Sequence, residues 1–139
     1  MRSTEPRSVA CVEDEAGIRL VLQVALGAVG GYRVALYASA AEAIEGLAAD
    51  PTDVILLDVT MPEIDGKTAF RRIRELPSCR ESVVIFLTAK ARPEERSELL
   101  ALGAADVFVK PFAPMTLARD VAAVWDRVCG FTGASARVG

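Results

Sequence analysis

The strongest constraint on this chain is where its short apolar runs end. Residues 8–12 run into Glu13 and Asp14, residues 54–57 into Asp58, residues 83–87 into Thr88, and residues 106–109 into Lys110. Stretches of helical periodicity separate these runs. Ile18, Val21, Leu22, Ala25, Leu26 and Val29 repeat at helical spacing until Gly30-Gly31 stops them. Residues 33–38 alternate in part and read as an edge strand. Ser39-x-x-Glu42 is a capping-box pattern, and the helix it opens carries Ala43, Ile44 and Leu47 and ends before Asp50-Pro51. Residues 66–76 read as a helix with Phe70, Ile73 and Leu76 inward and Arg71, Arg72 and Arg74 outward. Pro93 suits a first helical position, Glu94 and Glu95 complement the dipole, and Gly103 ends that helix after Leu102. The last helix places Leu117, Val121, Val124 and Val128 on one face.

Five strand–helix units in succession imply a parallel sheet with helices on both faces, within a length of 139 residues that suits one domain. Right-handed crossovers put every strand's carboxyl end on one edge, where ligands bind in open α/β sheets. With 52% hydrophobic and 25% charged residues, the class is soluble and globular. Sixteen basic residues against 19 acidic ones give a net charge of −3, against the basic excess that coats nucleic acid. The apolar runs fall far short of the ~18 residues that span a bilayer. Glu5 and Pro6 interrupt any basic leader built on Arg2 and Arg7, so no signal peptide is expected. The chain has no histidine, which excludes histidine catalysis, histidine metal ligation and a phosphohistidine of its own. Cys11, Cys79 and Cys129 are odd in number and unpaired in spacing, which suits reduced structural thiols and gives no basis for zinc.

The edge therefore collects Glu13, Asp14, Asp58, Thr88 and Lys110. Three neighbouring carboxylates resist full ionisation unless a cation joins them, and hard oxygen ligands without imidazole or thiolate favour magnesium. A carboxylate beside magnesium, with an ammonium and a hydroxyl close by, suits a phosphoryl group, and a central carboxylate can itself be the nucleophile. Gly66-Lys67-Thr68 looks like the end of a P-loop, but Met61 stands where that motif needs glycine and Pro62 follows it. Arg71-Arg72-x-Arg74 reads as the solvated face of an amphipathic helix.

Four motifs in order carry a family resemblance: Val12-Glu13-Asp14-Glu15; Leu56-Leu57-Asp58-Val59-Thr60-Met61-Pro62-Glu63-Ile64-Asp65-Gly66; Leu87-Thr88-Ala89; and Val109-Lys110-Pro111-Phe112. Over residues 8–129 the sequence resembles the receiver domain of two-component response regulators. The resemblance implies a flavodoxin-like three-layer sandwich, a five-stranded parallel sheet of order 2-1-3-4-5 with five helices. Residues 1–7 would be an N-terminal extension and residues 130–139 a flexible tail or the start of a linker. It further implies Asp58 as phosphoacceptor, with Thr88 moving to bond the phosphoryl group and Lys110 pairing with it. Asp14, Asp58 and the backbone carbonyl of Thr60 would bind Mg2+, with Glu13 reaching it through water and Mn2+ as a substitute. The Lys110-Pro111 bond is often cis in such proteins.

By the same resemblance the chain is a cytoplasmic signalling switch in a phosphorelay rather than an enzyme, though it assists its own phosphotransfer and dephosphorylation. The phosphodonor would be a histidine kinase or histidine phosphotransfer protein. The sequence does not name the output partner, and neither direct nucleic-acid binding nor membrane binding is expected. A phosphorylation-dependent homodimer is compatible with the resemblance. Two rival readings are a phosphorylation-independent pseudo-receiver and a haloacid-dehalogenase-like phosphatase. The phosphatase would need a second Asp two residues after its nucleophile, where Thr60 stands.

Three departures from the family pattern matter. Glu13 stands where Asp is commonest. The aromatic switch position, three residues before the lysine, is Val107; Phe108 comes one residue later and is expected on the opposite face of the strand unless a bulge intervenes. The two positions that tune dephosphorylation are Thr60 and Lys90, and a long cation at Lys90 should hinder attacking water and lengthen the life of the phosphoprotein.

Overall fold

A computed structural model describes residues 6–90 and 92–130 of the chain. The strands are β1 (Ser8–Val12), β2 (Arg33–Tyr37), β3 (Val54–Asp58), β4 (Val83–Thr88) and β5 (Asp106–Val109). They form one parallel sheet in the order β2-β1-β3-β4-β5. The helices are α1 (Ala16–Leu22), α2 (Ala40–Ala49), α3 (Gly66–Glu75), α4 (Pro93–Leu102) and α5 (Leu117–Cys129). This is the expected flavodoxin-like architecture. Of the expected tail (130–139) all but Gly130, and of the N-terminal extension (1–7) residues 1–5, lie outside the described residues.

The three inner strands are buried along their whole length, as continuous apolar runs require in a sheet covered on both faces. Their side chains part with period two. Ala10, Val12, Ile55, Leu57, Val84 and Phe86 pack toward α2, α3 and α4, against Ala43, Leu47, Phe70, Ile73 and Leu99. Val9, Cys11, Val54, Leu56, Ile85 and Leu87 pack toward α1 and α5, against Leu22, Leu26, Val121 and Trp125. Because β1 lies between β2 and β3, the chain moves one way across the sheet and then the other, which opens a crevice above the carboxyl ends of β1 and β3.

Local signals set most boundaries. The Ser39 hydroxyl accepts from the Glu42 amide at 3.1 Å, while the Glu42 carboxylate reaches back to the Ala38 amide at 3.3 Å, one residue beyond the expected box. Asp65 caps α3 by accepting from the Thr68 amide at 2.8 Å, and that bond draws its carboxyl below the usual carboxylate range. Gly103 ends α4 in the left-handed region at φ 119°.

Three expectations need correction. The helix expected to run unbroken to Val29 continues after α1 as a π-helix over Gln23–Val29, with Ala25 and Leu26 buried. Arg74 does not point outward: it donates to the carbonyls of Cys79 and Ser82 at 2.9 and 2.7 Å and lies 5.4 Å from the Phe70 ring centroid. Carbonyls of the turn after α3 thus take a cation that the helical period alone would place in water. On α5 it is Trp125, 2% exposed, that covers the sheet, while Val128 at 47% stands out in solvent one turn later.

Candidate functional site

Backbone register brings the polar strand ends together. Asp58 pairs with Leu87, so Asp58 and Thr88 end adjacent strands nearly level with each other. The Val59 amide donates to the Leu87 carbonyl at 2.9 Å, and the Lys110 amide donates to the Thr88 carbonyl at 2.8 Å. β1 supplies Glu13 from the other side, its amide donating to the Tyr37 carbonyl at 3.0 Å. The loop after Asp58 is held against the first turn of α3, where the Gly66 amide donates to the Val59 carbonyl at 2.9 Å. The Lys110-Pro111 bond is cis.

Glu13, Asp14 and Asp58 each offer a carboxylate oxygen, and these oxygens lie within 4.8 Å of one another. Glu13 is completely buried, Asp58 is 4% exposed and Asp14 is exposed, so the cluster opens to water on one side. The Lys110 ammonium donates to Glu13 Oε1 at 2.7 Å and lies 3.2 Å from Asp58 Oδ2. Glu13 Oε2 accepts from the Glu15 amide at 3.1 Å, and Asp58 Oδ1 accepts from the Thr60 amide at 3.1 Å. Arg19 closes the end of β1 by donating to the Glu13 carbonyl at 2.8 Å.

The electrostatics follow from crowding. Burial raises the Glu13 carboxyl above the usual carboxylate range; the bonds from Lys110 and the Glu15 amide work against that, and the charge of Asp58 adds to it. Burial would lower the Lys110 ammonium, but its bond to Glu13 and the charges of Asp58 and Glu13 outweigh this and raise it. A lysine so placed stays charged and serves as a fixed counter-ion. Cys11, buried just below on β1, has its thiol pushed well up by desolvation and is chemically quiet.

A cluster of hard carboxylate oxygens, open on one side and without nitrogen or sulfur donors, fits a divalent cation of the magnesium type. Asp14 is the carboxylate most open to it; both oxygens of Glu13 already hold donors. Thr60 lies exposed two residues past Asp58.

Thr88 is 5% exposed and shares the face of β4 that carries Phe86. Its hydroxyl donates to Glu95 Oε1 on α4 at 3.3 Å and accepts from the Lys90 amide at 3.1 Å. The sequence reading did not single out Glu95 for this contact. Glu94 and Glu95 carry the same helix-dipole signal, and nothing in their order distinguishes the one that meets Thr88. Val107 lies in the core beside α2, α3 and α4, whereas Phe108 packs on the α1 and α5 side. The β4–β5 register runs unbroken from Asp106 to Val109, so no bulge brings Phe108 round to Thr88.

Fold and site together define a class: a doubly wound domain that gathers acidic residues, a hydroxyl and an ammonium at its switch point. The family model for the response regulator receiver domain matches residues 9–122. The chain is 31% identical to the chemotaxis protein CheY4 of Vibrio cholerae, with a TM-score of 0.80 over 85% of this chain and 98% of that one. It is 32% identical to the receiver domain of sensor histidine kinase PA1611 from Pseudomonas aeruginosa, whose structure has a magnesium ion in its active-site cleft; the TM-score is 0.75 over 89% of this chain and 98% of that one. A probable transcriptional regulator, ycf27 of Guillardia theta, is 36% identical over 86% of this chain and 45% of its own length. The chain belongs to the response regulator receiver domain family, the two-component signalling switches. It spans half or less of the length of several curated relatives.

Proposed function

We propose that residues 8–129 act as a phosphoacceptor in a two-component phosphorelay, with Asp58 as the acceptor. The observation that carries this reading is the Lys110 ammonium set between the buried carboxylates of Glu13 and Asp58, at 2.7 and 3.2 Å, with Asp14 beside them. The Asp58 carboxylate attacks the phosphorus of the donor. A new O–P bond forms, the donor's bond to phosphorus breaks, and the electron pair of that bond leaves with the donor. Lys110 then offsets charge on the phosphoryl oxygens, and the Thr88 hydroxyl donates to one of them.

Asp14, Asp58 and the Thr60 carbonyl would hold Mg2+, or Mn2+ in its place, with Glu13 reaching it through water. The bound ion supplies further charge neutralisation at the phosphoryl oxygens. The donor is a histidine kinase or histidine phosphotransfer protein, and its phosphohistidine is not among these 139 residues, which contain no histidine. An apolar groove of about 380 Å³, lined by Ile18, Val21, Pro111 and Phe112 next to Lys110, gives that donor a surface beside the acceptor. The switch acts in the cytoplasm, with an output partner and a phosphorylation-dependent homodimer as the further steps.

A phosphatase reading lacks a carboxylate at Thr60, two residues after Asp58, to act as general acid. The test is intact mass after incubation with acetyl phosphate and Mg2+. One phosphoryl adduct on the wild type, which does not form when Mg2+ is chelated and is absent from Asp58→Asn, is the expected result. No adduct on a protein that binds Mg2+ would overturn the reading in favour of a pseudo-receiver.

A further inference from the structure

The Thr88 hydroxyl is already committed. A hydroxyl has one proton to give and two lone pairs to accept with. The Thr88 oxygen accepts from the Lys90 amide at 3.1 Å, and its proton goes to the Glu95 carboxylate at 3.3 Å. A phosphoryl group on Asp58 needs the same proton, and both cannot have it.

We propose that Glu95 is a positioning residue that holds Thr88 in a resting orientation, so that a phosphoryl group gains the Thr88 proton only by displacing Glu95. The proposal rests on Asp58 being the acceptor. Glu95 belongs to the first turn of α4, and the next residue, Arg96, ties that turn to β5 through Asp106 at 2.8 Å and the Val107 carbonyl at 3.2 Å. Lys67 of α3 reaches α4 at Glu98, 2.7 Å away. Thr88–Glu95 is thus the side-chain bond by which occupancy at the acceptor is transmitted to α4. The resting bond is weak enough to yield, since 3.3 Å is long for O–H···O, though the carboxylate's charge strengthens it. A ligand that binds better once Glu95 lets go shifts the population toward the released state.

The test is a titration with beryllofluoride, a phosphoryl mimic, at saturating Mg2+, read by 19F NMR. It compares wild type, Glu95→Gln, Glu95→Ala, Thr88→Val and the Glu95→Ala/Thr88→Val pair. Losing one such hydrogen bond predicts affinity about 3- to 10-fold tighter for Glu95→Ala and a smaller gain for Glu95→Gln, which can still accept. Mg2+ affinity without beryllofluoride stays within about twofold, because Glu95 is outside the carboxylate cluster. The gain vanishes in the Thr88→Val background, which a purely structural role for Glu95 would not produce. Unchanged or weaker binding by Glu95→Ala, or an equal gain with Thr88→Val, overturns the latch alone. A wild type that takes up no beryllofluoride overturns the Asp58 reading and the latch with it.

Discussion

Replacing Gly66 with alanine tests how closely α3 must approach the acceptor loop. A Cβ at position 66 would stand 2.6 Å from the Asp58 carbonyl oxygen, 2.7 Å from Val59 Cα and 3.0 Å from the Val59 carbonyl oxygen. Non-bonded carbons prefer about 3.5–4.0 Å, so the new methyl overlaps main chain by about 1 Å. Main chain cannot swing aside as a side chain can, and the Gly66–Val59 hydrogen bond at 2.9 Å pins the two segments. Overpacking of this kind costs about 1–3 kcal/mol. The helix preference of Ala over Gly, at most about 1 kcal/mol, returns only part of it at the first turn. A net loss of about 2 kcal/mol corresponds to a fall in Tm of about 6–10 °C for a domain of this size.

The assay is thermal and urea unfolding, with Gly46→Ala as comparison. A Cβ at Gly46 would come within 2.5 Å of the Tyr37 ring, but that is the far end of a half-exposed side chain, and the site is inside α2. Ring movement and helix propensity should hold its change within about 1 kcal/mol of zero. Mg2+ affinity should fall in Gly66→Ala and not in Gly46→Ala, because the displaced backbone is that of Asp58. A Gly66→Ala protein melting within 2 °C of wild type, or less perturbed than Gly46→Ala, would mean that the acceptor loop has room for a side chain at position 66 (the 2 °C margin is about one-fifth to one-third of the shift expected).

Other consequences follow from single contacts. Lys110→Met leaves Glu13 buried without its 2.7 Å partner, so the metal-free protein should lose about 1.5–3 kcal/mol by urea unfolding, with added Mg2+ narrowing the gap. Equal stability with and without Lys110 would count against its role as counter-ion. Asp65→Ala removes the cap of α3 and should cost about 0.5–2 kcal/mol near neutral pH. The folded Asp65 carboxyl titrates below its ordinary value of 3.8, so its contribution is fully present above that value. It is lost as pH falls through the folded-state value, so the gap between wild type and Asp65→Ala should close in acid; a gap that widens there would reverse the sign. Lys90→Ala should shed phosphate faster than wild type, measured by the decay of the phosphoryl adduct, and an unchanged half-life would dismiss Lys90 as a shield.

The architecture was legible because its signals are local. Buried runs such as 54–57 and 83–87, and stops such as Asp50-Pro51 and Gly103, depend little on what lies across the fold. The cluster of Glu13, Asp14, Asp58 and Lys110 was legible for a topological reason: parallel strands must end on one edge. The opposite placement of Val107 and Phe108 followed from strand alternation alone. What escaped was set by neighbours distant in sequence. Arg74 turns inward because the carbonyls of Cys79 and Ser82 await it, and Trp125 replaces Val128 on the sheet. Gln23–Val29 widens into a π-helix, which hydrophobic spacing near the α period does not reveal. In the sequence Glu95 reads as a helix-dipole residue, since only the folded chain brings the first turn of α4 to Thr88.

Mapping the modified residue tests directly whether Asp58 is the phosphoacceptor. An acyl phosphate is reduced by borohydride, which converts a phosphorylated aspartate to homoserine and marks it permanently. After incubation with acetyl phosphate and Mg2+ followed by borohydride, peptide mass spectrometry should find homoserine at position 58 and aspartate retained at position 14. Homoserine at another carboxylate, or an adduct that survives with Asp58 unmodified, would contradict the account.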